Sequence, residues 1–434
     1  MRRAVVVGLG VTGRSVVAHL VARDWDVVVV EDSPGPNTAA EVAGLGARLG
    51  AVADVSGAEL VVPNPGVRPG HPAVVLARRG GVTVQGEIEL AWREAAGRTI
   101  VAVTGTNGKT TVCTLVAAMV VAAGRSAVAA GNIGLPLLDA VAFPTEVLVV
   151  EVSSFQLFWT EAFRPDVAVW LNLAEDHLDW HPDMGHYATA KSRIWVNQHA
   201  DDVAVVNAED RRVMAAATAA PSRLVTFGLD RGDYRVRAGW LRGPEPGPDG
   251  EVVAVGDLAR SQPHELANGL AATAAARAVG VPTARCAGVL AGFAGLPHRV
   301  QFVGRCDGVS YYDDSKATTP ASVLAALAGF PSAVLIAGGR NKGLDLGALR
   351  AGADRLRAVV AIGESAPEVT SAFAGAVPVE TAPSMAAAVT AARRAAHDGD
   401  AVLLSPGCTS YDWYRSYAER GEDFTACVRA ECLP

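Results

Sequence analysis

The sequence lacks any apolar run long enough to cross a membrane. Its longest candidate, residues 112–123, falls well short of the ~20 residues that a spanning helix needs. The first residues also lack the pattern of a secretory signal, because the apolar run 4–7 is soon interrupted by Gly8 and Gly10. This start indicates a buried strand followed by a turn. A membrane-inserted or exported protein is therefore not expected.

Paired cysteines and an excess of positive charge are also missing. The six cysteines are scattered without a CxxC pair, which is typical of free thiols in a reducing cytoplasm. The formal net charge of −7 argues against a general nucleic-acid or membrane-surface binder, since neither polyanion would be attracted. It does not exclude a local cationic pocket for phosphates. We therefore expect a cytoplasmic protein without a nucleic-acid partner.

What the sequence does contain is a regular alternation of strand-like and helical runs. The 434 residues are ample for more than one domain. The alternation predicts an α/β protein in which helices cover parallel sheets. Three domains are predicted, at residues 1–97, 98–296 and 297–434. Within the second, the Gly- and Pro-rich stretch 239–250 predicts a hairpin or an exposed loop.

A first glycine-rich loop, GLGVTG at residues 8–13, lies between the first strand and the first helix. Glu31 and Asp32 stand at the end of the next strand. Such glycines let the backbone approach a pyrophosphate at a helix N-terminus, and an acid there can meet a ribose hydroxyl. The pattern predicts a Rossmann-like N-terminal domain. It also fits a nucleotide-dependent dehydrogenase, which stays an alternative at this point.

A second glycine-rich loop, TGTNGKTT at residues 104–111, joins a strand to a long apolar helix. Its backbone N–H groups and the helix dipole can hold phosphates. Lys109 adds a point charge, and the Thr110 hydroxyl can ligate Mg²⁺. The standard P-loop has a glycine where this chain has Val103, so the loop is a shortened variant. It predicts nucleoside triphosphate binding on a central, P-loop ATPase-like parallel sheet.

The second loop resembles the ATP loop of the Mur ligases and of the related folylpolyglutamate synthases, and the similarity extends over the whole chain. Further matching strings are EVSSFQL at 151–157, NLAEDHLD at 172–179, PHR at 297–299, GGRNKG at 338–343 and SPGCTS at 405–410. The most discriminating string is DDSKAT at 313–318, which is similar to that of the glutamate-adding members. The resemblance also implies a Rossmann-like C-terminal domain that binds the amino acid and closes over ATP.

The resemblance implies an ATP-dependent amide-bond ligase of peptidoglycan synthesis. ATP would phosphorylate the alanyl carboxylate of UDP-N-acetylmuramoyl-L-alanine, and the amine of D-glutamate would attack the resulting acyl phosphate. Since one anion must approach another, such a site needs concentrated positive charge. The same ligation with L-glutamate stays open, because the composition of a pocket does not reveal chirality. Both partners are small molecules, and we expect a monomer.

The catalytic and metal-binding residues follow from the matching strings. Lys109 would contact phosphates, while Thr110 and Glu151 would hold one Mg²⁺. His177 is similar to a ligand of a second metal ion in the family. Lys191, in YATAKSRI, matches a lysine that is carbamylated in relatives, and carbamylation turns the cation into an oxygen ligand. The predicted cofactors are therefore ATP and Mg²⁺, with a carbamylated Lys191.

The remaining site residues are implied in the same way. The nucleotide contacts are Gly105, Thr106, Asn107, Gly108, Lys109, Thr110, Thr111, Asn268, Arg299, Asp314 and Lys316. The contacts to the UDP-bearing substrate are Gly10, Val11, Thr12, Asp32, Ser33, Asn64 and Gly66. Further substrate contacts are Asn132, Ser153 and Ser154 and, for the glutamate carboxylates, Lys316, Thr318, Lys342, Ser410 and Tyr417.

Three positions depart from the pattern of the family. Glu265 stands where relatives have asparagine after the histidine that matches His264, which leaves part of the adenine contact open. Thr319 replaces an asparagine, and Tyr417 replaces a phenylalanine. The last two departures leave the recognition of the glutamate side chain open.

Overall fold

A computed structural model describes residues 2–132, 134–245 and 250–432, and four β-sheets organise them. Three sheets are large and lie one after another along the chain, whereas the fourth is a small antiparallel sheet beside the second. The α/β class predicted from the sequence is confirmed. All six cysteines are free, as the missing CxxC pairs predict.

The first sheet is entirely parallel, with strand order β3-β2-β1-β4-β5. Its valine-rich central strands are buried, as β-branched residues covered on both faces should be. The strands are β1 (Arg3–Val7), β2 (Asp26–Val30), β3 (Arg48–Leu49), β4 (Leu60–Pro63) and β5 (Thr83–Val84). The helices are α1 (Val11–Val21), α2 (Thr38–Gly44), α3 (Pro72–Arg79) and α4 (Glu87–Glu94).

The turn between β1 and α1 requires glycine. A Cβ on Gly13 would come within 2.2 Å of the Gly8 carbonyl oxygen, so a side chain there would push the helix away from the strand. The first of the two acids after β2 supports the turn, because Glu31 Oε2 accepts a hydrogen bond of 2.8 Å from the N–H of Leu9. The loop therefore lies open at the carboxyl edge of the sheet.

The second large sheet is also parallel, with strand order β11-β10-β9-β6-β8-β7. Its strands are β6 (Thr99–Thr104), β7 (Ala127–Gly131), β8 (Val147–Glu151), β9 (Val167–Trp170), β10 (Val203–Asn207) and β11 (Arg223–Phe227). Its helices are α5 (Lys109–Ala122), α6 (Leu137–Ala140), α7 (Ser154–Phe158), α8 (Met184–Ser192) and α9 (Arg211–Ala217). The strands β8, β6 and β9 are neighbours, so the segments that follow them meet at one edge.

The small sheet confirms the predicted hairpin. Its strands β12 (Arg235–Arg237), β13 (Trp240–Arg242) and β14 (Glu251–Ala254) are antiparallel, and residues 246–249 of the predicted loop lie outside the described residues. Two helices follow, α10 (Pro263–Ala278) and α11 (Thr283–Gly292). The buried alanines of α10 let it approach α5 closely, within one apolar core.

The third large sheet has strand order β15-β16-β20-β17-β18-β19, and β15 alone is antiparallel to its neighbour. The strands are β15 (Gln301–Cys306), β16 (Val309–Asp313), β17 (Ala333–Gly338), β18 (Leu356–Ile362), β19 (Val379–Ala382) and β20 (Ala401–Leu404). The α-helices are α12 (Pro320–Leu327), α13 (Ala366–Phe373), α14 (Met385–Ala395) and α15 (Tyr417–Cys432), and a 3₁₀ stretch covers Leu346–Arg355.

Buried carboxylates join the first sheet region to the second. Glu87 Oε1, on α4, accepts a hydrogen bond of 2.7 Å from the N–H of Leu138. The carboxylate of Glu89 accepts hydrogen bonds from three successive N–H groups, those of residues 161–163. In addition, Trp180 Nε1 donates to the carbonyl oxygen of Gly66 at 3.1 Å. Several separate hydrogen bonds therefore hold the two regions together.

None of the helices in the described ranges combines the length and the apolar character that crossing a bilayer would require.

Candidate active site

The second glycine-rich loop curls tightly between β6 and α5. Gly108 has φ +87°, and a Cβ there would lie 2.4 Å from the side-chain oxygen of Asn268 on α10. Asn172 closes the loop from the other side, since its Oδ1 accepts the N–H groups of Thr106 at 3.0 Å and Asn107 at 2.8 Å. Asn172 is not among the predicted site residues, although it opens the matching string that follows β9.

Two lysine amines meet beneath this loop. Lys109 Nζ donates to the carbonyl oxygens of Gly105 at 2.9 Å and Thr106 at 2.8 Å. Lys191 Nζ, from α8, donates to the same Gly105 oxygen at 2.9 Å. Burial lowers the pKa of the Lys109 amine, and it lowers the pKa of the Lys191 amine strongly. Neither lysine forms an ion pair within the described chain, so both amines are available to an incoming anion or to chemical modification.

A carboxylate and a hydroxyl face the start of α5. Thr110 Oγ1 donates to Glu151 Oε2 at 2.8 Å, and Asn132 Nδ2 donates to Glu151 Oε1 at 2.9 Å. Arg299, which arrives from the connection before β15, donates from Nη2 to Thr110 Oγ1 at 2.7 Å. Hard oxygen atoms in this arrangement suit Mg²⁺, which commonly takes one or two protein ligands and keeps several waters. Thr110 and Glu151 thus fit the predicted metal site.

His177 lies in the left-handed region, with φ +56°. Its Nε2 is 3.3 Å from Asp176 Oδ2, and burial lowers the pKa of the imidazole. A lowered pKa keeps the ring neutral near neutral pH, which is the form that binds metal ions. Among the described residues no three His, Cys, Asp or Glu side chains converge as a metal cluster. Any metal ion here would therefore need hydroxyl, water, phosphate or carbamate oxygens as well.

One cavity of about 490 Å³ joins these groups to the third sheet region. The predicted site residues that line it are Thr106, Asn107, Gly108, Lys109, Thr110, Asn132, Glu151, His177, Arg299, Lys316, Thr318, Lys342 and Tyr417. Lys191 does not line it but lies behind the loop. We call this space the reaction cavity.

The chain contains four lysines, and all four belong to this site. Lys109, Lys316 and Lys342 line the reaction cavity, and Lys191 lies directly behind it. Lysine and arginine together number 38 in the sequence, so all but these four are arginine. Lysine differs from arginine in its compact charge and in an amine that can lose its proton when buried. The site therefore uses lysine where the rest of the chain uses arginine.

A second cavity of about 350 Å³ adjoins the first. Predicted nucleotide residues that line it are Asn107, Gly108, Thr111, Asn268, Arg299, Asp314 and Lys316. Burial raises the pKa of Asp314 to about 7, and its Oδ2 accepts a hydrogen bond of 2.7 Å from Ser405. Apolar residues such as Phe227 and Phe293 complete the wall. Asn107, Gly108, Arg299 and Lys316 line both cavities, so the two cavities adjoin at these residues.

Ser322 on α12 also lines both cavities and is not among the predicted site residues. Its hydroxyl donates to Asn107 Oδ1 at 2.7 Å. Thr319, the N-cap of α12, lies 2.8 Å from the same hydroxyl. The third sheet region thus contacts the loop directly. No motif could reveal this contact, since the two residues are 215 positions apart.

A third cavity, of about 1130 Å³, opens at the first glycine-rich loop. The predicted residues Gly10, Val11, Thr12, Asp32, Asn64 and Gly66 line it. Trp180, His186 and His71 also line it and were not predicted. His71 Nε2 lies 3.0 Å from Asp32 Oδ1.

Besides Lys191, five predicted site residues lie outside the linings of the three cavities. Gly105 presents its carbonyl oxygen to the two lysine amines, and Ser33 is exposed beside the third cavity. Ser153 caps α7, Ser154 Oγ lies 2.9 Å from His181 Nε2, and Ser410 is buried before α15. Their substrate contacts stay predictions.

Lys316 and Tyr417, two of the residues predicted to bind glutamate, lie in contact with each other. Lys316 Nζ lies 3.6 Å from the centroid of the Tyr417 ring, which is a cation–π distance. Burial lowers the pKa of the Lys316 amine to about 8. Lys342 and Thr318 share the cavity wall with this pair. The arrangement offers two amines and a hydroxyl to a ligand with carboxylate groups.

Family models match most of the chain. They describe a MurD-like Mur ligase N-terminal domain at residues 2–86, a Mur ligase middle domain at 103–276 and a Mur ligase glutamate ligase domain at 298–408. The UDP-N-acetylmuramoylalanine–D-glutamate ligase of Frankia casuarinae is 46% identical, with 98% of this chain and 93% of the relative covered. The enzyme of the same name from Thermobifida fusca is 41% identical, with 99% and 98% covered.

Solved structures agree on the fold. The MurF ligase of Thermotoga maritima in complex with ADP superposes with a TM-score of 0.65 at 18% identity, covering 94% of this chain and 95% of that one. The UDP-N-acetylmuramate–alanine ligase MurC of the same organism gives a TM-score of 0.62 at 18% identity, covering 99% and 100%. With these sequence and fold matches the ligase is favoured over the dehydrogenase alternative. The chain belongs to the Mur ligase family and is an ATP-dependent ligase.

Proposed function

We propose that this enzyme joins D-glutamate to UDP-N-acetylmuramoyl-L-alanine and converts ATP to ADP and phosphate. The observation that carries the proposal is that the two cavities adjoin and share Asn107, Gly108, Arg299 and Lys316 in their walls. A nucleotide whose base occupies the second cavity would present its terminal phosphate in the reaction cavity. Relatives that are 41–46% identical carry the name of this activity.

The proposed domain roles follow the order of the chain. Residues 1–97 would bind the UDP end of the substrate in the third cavity, and residues 98–296 would bind ATP. Residues 297–434 would supply the glutamate subsite and close over the nucleotide through Arg299 and Ser322. Closure would exclude water from an acyl phosphate, which water would otherwise hydrolyse.

The chemistry requires a carboxylate to attack a phosphate, and the protein would offset their repulsion. Lys109, Arg299 and Lys316 line the reaction cavity, where they would surround the two anions with three cationic groups. Asn132 and Thr110 hold the Glu151 carboxylate at hydrogen-bond distance, which fixes its orientation. Once the alanyl carboxylate is phosphorylated, the amine of glutamate can displace phosphate and form the amide.

Thr110 and Glu151 are the residues proposed to hold one Mg²⁺, and His177 with a modified Lys191 a second. Bound Mg²⁺ would neutralise charge on the phosphate oxygens during transfer. The fit rests on the donor set, a hydroxyl 2.8 Å from a carboxylate with a neutral imidazole in the same cavity. The position of Arg299 against Thr110 Oγ1 adds a cation that would shift toward phosphate oxygens when they are present.

Lys191 is proposed to be carbamylated. Its amine is buried, donates mainly to the Gly105 carbonyl, and has no carboxylate within 4 Å among the described residues. A buried ammonium without an ion-pair partner is costly, so the neutral amine is favoured. A neutral amine can attack CO₂, forming a C–N bond and releasing a proton, and the carbamate would extend the side chain toward the reaction cavity.

The pH dependence of glutamate binding should report on Lys316. Its pKa of about 8 means that the amine is charged below this pH and neutral above it. We therefore expect the KM for D-glutamate to rise above pH 8, approaching about tenfold for each further pH unit. Steady-state kinetics between pH 6.5 and 9.5 measure this. In a Lys316→Arg variant the guanidinium stays charged, so this rise should disappear; a rise of equal size in that variant would contradict the assignment.

The proposed reaction is tested by measuring ADP release with UDP-N-acetylmuramoyl-L-alanine and D-glutamate, omitting each in turn. We expect release to need both, and the product to contain one new amide bond by mass spectrometry. Replacing D-glutamate by its L-enantiomer should leave only background release. Equal activity with L-glutamate would overturn the proposed stereochemistry. Release that ignores the UDP-bearing substrate would overturn the function itself.

A further inference from the structure

A largely buried ion pair lies beside the second cavity and includes Glu265, one of the positions that depart from the pattern of the family. Arg260 Nε is 2.5 Å from Oε1 of Glu265, which belongs to the first turn of α10. The two side chains are only 13% and 15% exposed. Glu265 lines the cavity through part of its side chain, whereas its Oε2 is buried and has no partner among the described residues.

The two terminal nitrogens of the Arg260 guanidinium contact the segment that connects the second and third sheet regions. Nη2 donates to the carbonyl oxygen of Arg299 at 2.8 Å. Nη1 packs against Gly295, where an added Cβ would lie 2.1 Å from it. Gly295 has φ +95°, a conformation that side chains oppose. The guanidinium therefore fills a space that only a glycine leaves open, and it joins α10 to the connection.

Arg299 continues this chain of contacts into the active site. Its backbone is held by Arg260, and its side chain reaches Thr110 Oγ1 at 2.7 Å. The Arg299 side chain is partly buried, and the resulting desolvation lowers the pKa of its guanidinium. A long side chain can place such a charge accurately only if its backbone is fixed, and small errors of position at a reacting centre are costly in rate.

We propose that Arg260 and Glu265 are positioning residues: their ion pair anchors the backbone of Arg299 and thereby directs its guanidinium at the nucleotide phosphates. Glu265 orients Arg260, and Arg260 orients Arg299. This inference rests on the proposed function in one respect, namely that Arg299 contacts ATP. The competing role for Glu265, direct recognition of the adenine amino group, is separated from this one by the test.

The test is a double-mutant cycle read in nucleotide affinity. Arg260→Gln should weaken binding of the Mg²⁺ complex of the non-hydrolysable analogue AMP-PNP about tenfold, measured by calorimetry. In an Arg299→Ala background the same substitution should add less than about twofold, because its target is gone. Losses that multiply instead would overturn the proposal. Arg305→Gln, at an exposed site on β15, is the control and should bind normally.

Two further measurements keep the outcome decisive. Arg260→Lys retains the positive charge but cannot reach both Glu265 and the Arg299 carbonyl, so it should show most of the loss even if Arg260→Gln folds poorly. The preference for ATP over inosine triphosphate should stay unchanged in Arg260→Gln and Glu265→Gln, since neither residue reads the base. A collapse of that preference in Glu265→Gln would assign it to adenine instead. Because binding is measured without glutamate, these results stand apart from the ligation assay.

Discussion

Replacing Lys191 by alanine is expected to slow ADP release by about 10²–10³-fold, and short carboxylic acids are expected to restore part of the rate. The size of the loss is that of removing one charge-stabilising group from a reacting centre. The alanine side chain leaves a space beneath the loop, beside the Gly105 carbonyl that Lys191 contacts. Acetate or propionate in that space can present the carboxylate oxygens that a carbamate would present.

The matched control is Lys191→Arg, which keeps a cation and a donor to Gly105 but cannot be carbamylated. It should be as inactive as the alanine variant. An active Lys191→Arg enzyme, or an alanine variant that acids do not rescue, would contradict the carbamate. The modification can also be trapped by alkylation and located by peptide mass. With four lysines in the whole chain, the modified peptide is assigned without ambiguity.

Much of this site could be predicted because its motifs follow parallel strands. The loop after β6, Glu151 at the end of β8 and the string after β9 all come at carboxyl ends, and these three strands are neighbours. Residues at such ends must meet at one edge of a sheet. The strings therefore carry geometric information as well as similarity. Lys109, Glu151 and His177 accordingly share one cavity.

What could not be predicted depends on how the regions dock. Ser322 reaches Asn107 across 215 positions, and Trp180 reaches Gly66 across 114. Neither pair has a local signal, since each contact exists only after two separate sheets have formed. The hydrophobic runs likewise predict the four central strands of the second sheet but not β7 and β11 at its edges. These edge strands are less buried than the central ones, so their sequences show a weaker run of apolar, β-branched residues.

The predicted serines illustrate a different limit. The matching string that contains Glu151 predicts that Ser153 and Ser154 contact the substrate. In the structure the Ser153 hydroxyl caps α7, and Ser154 contacts His181. A matching string identifies a segment, but each side chain in it can serve either the ligand or the fold. The hydrogen bonds of Ser153 and Ser154 within the protein show that both side chains support the fold. A contact with the substrate stays a prediction.

Lys109→Met is expected to abolish turnover, with a loss of at least about 10³-fold in kcat, and to leave the melting temperature nearly unchanged. The amine donates hydrogen bonds to two carbonyl oxygens, those of Gly105 and Thr106, and it forms no ion pair with a carboxylate of the described residues. A charge held in this way is poorly matched to the empty protein but well matched to a triphosphate. Methionine fills a similar volume without the charge, so the fold should tolerate it.

This pairing of lost activity with retained stability separates an electrostatic role from a structural one. ADP release and thermal unfolding are measured on the same preparation. If Lys109 mainly supported the loop, the methionine variant would melt markedly lower and lose activity in proportion. Lys109→Arg should also fail, because the larger guanidinium cannot occupy the buried position between α5 and the loop. A Lys109→Met enzyme with more than about a tenth of the normal rate would show that the cations of the third sheet region suffice for phosphoryl transfer.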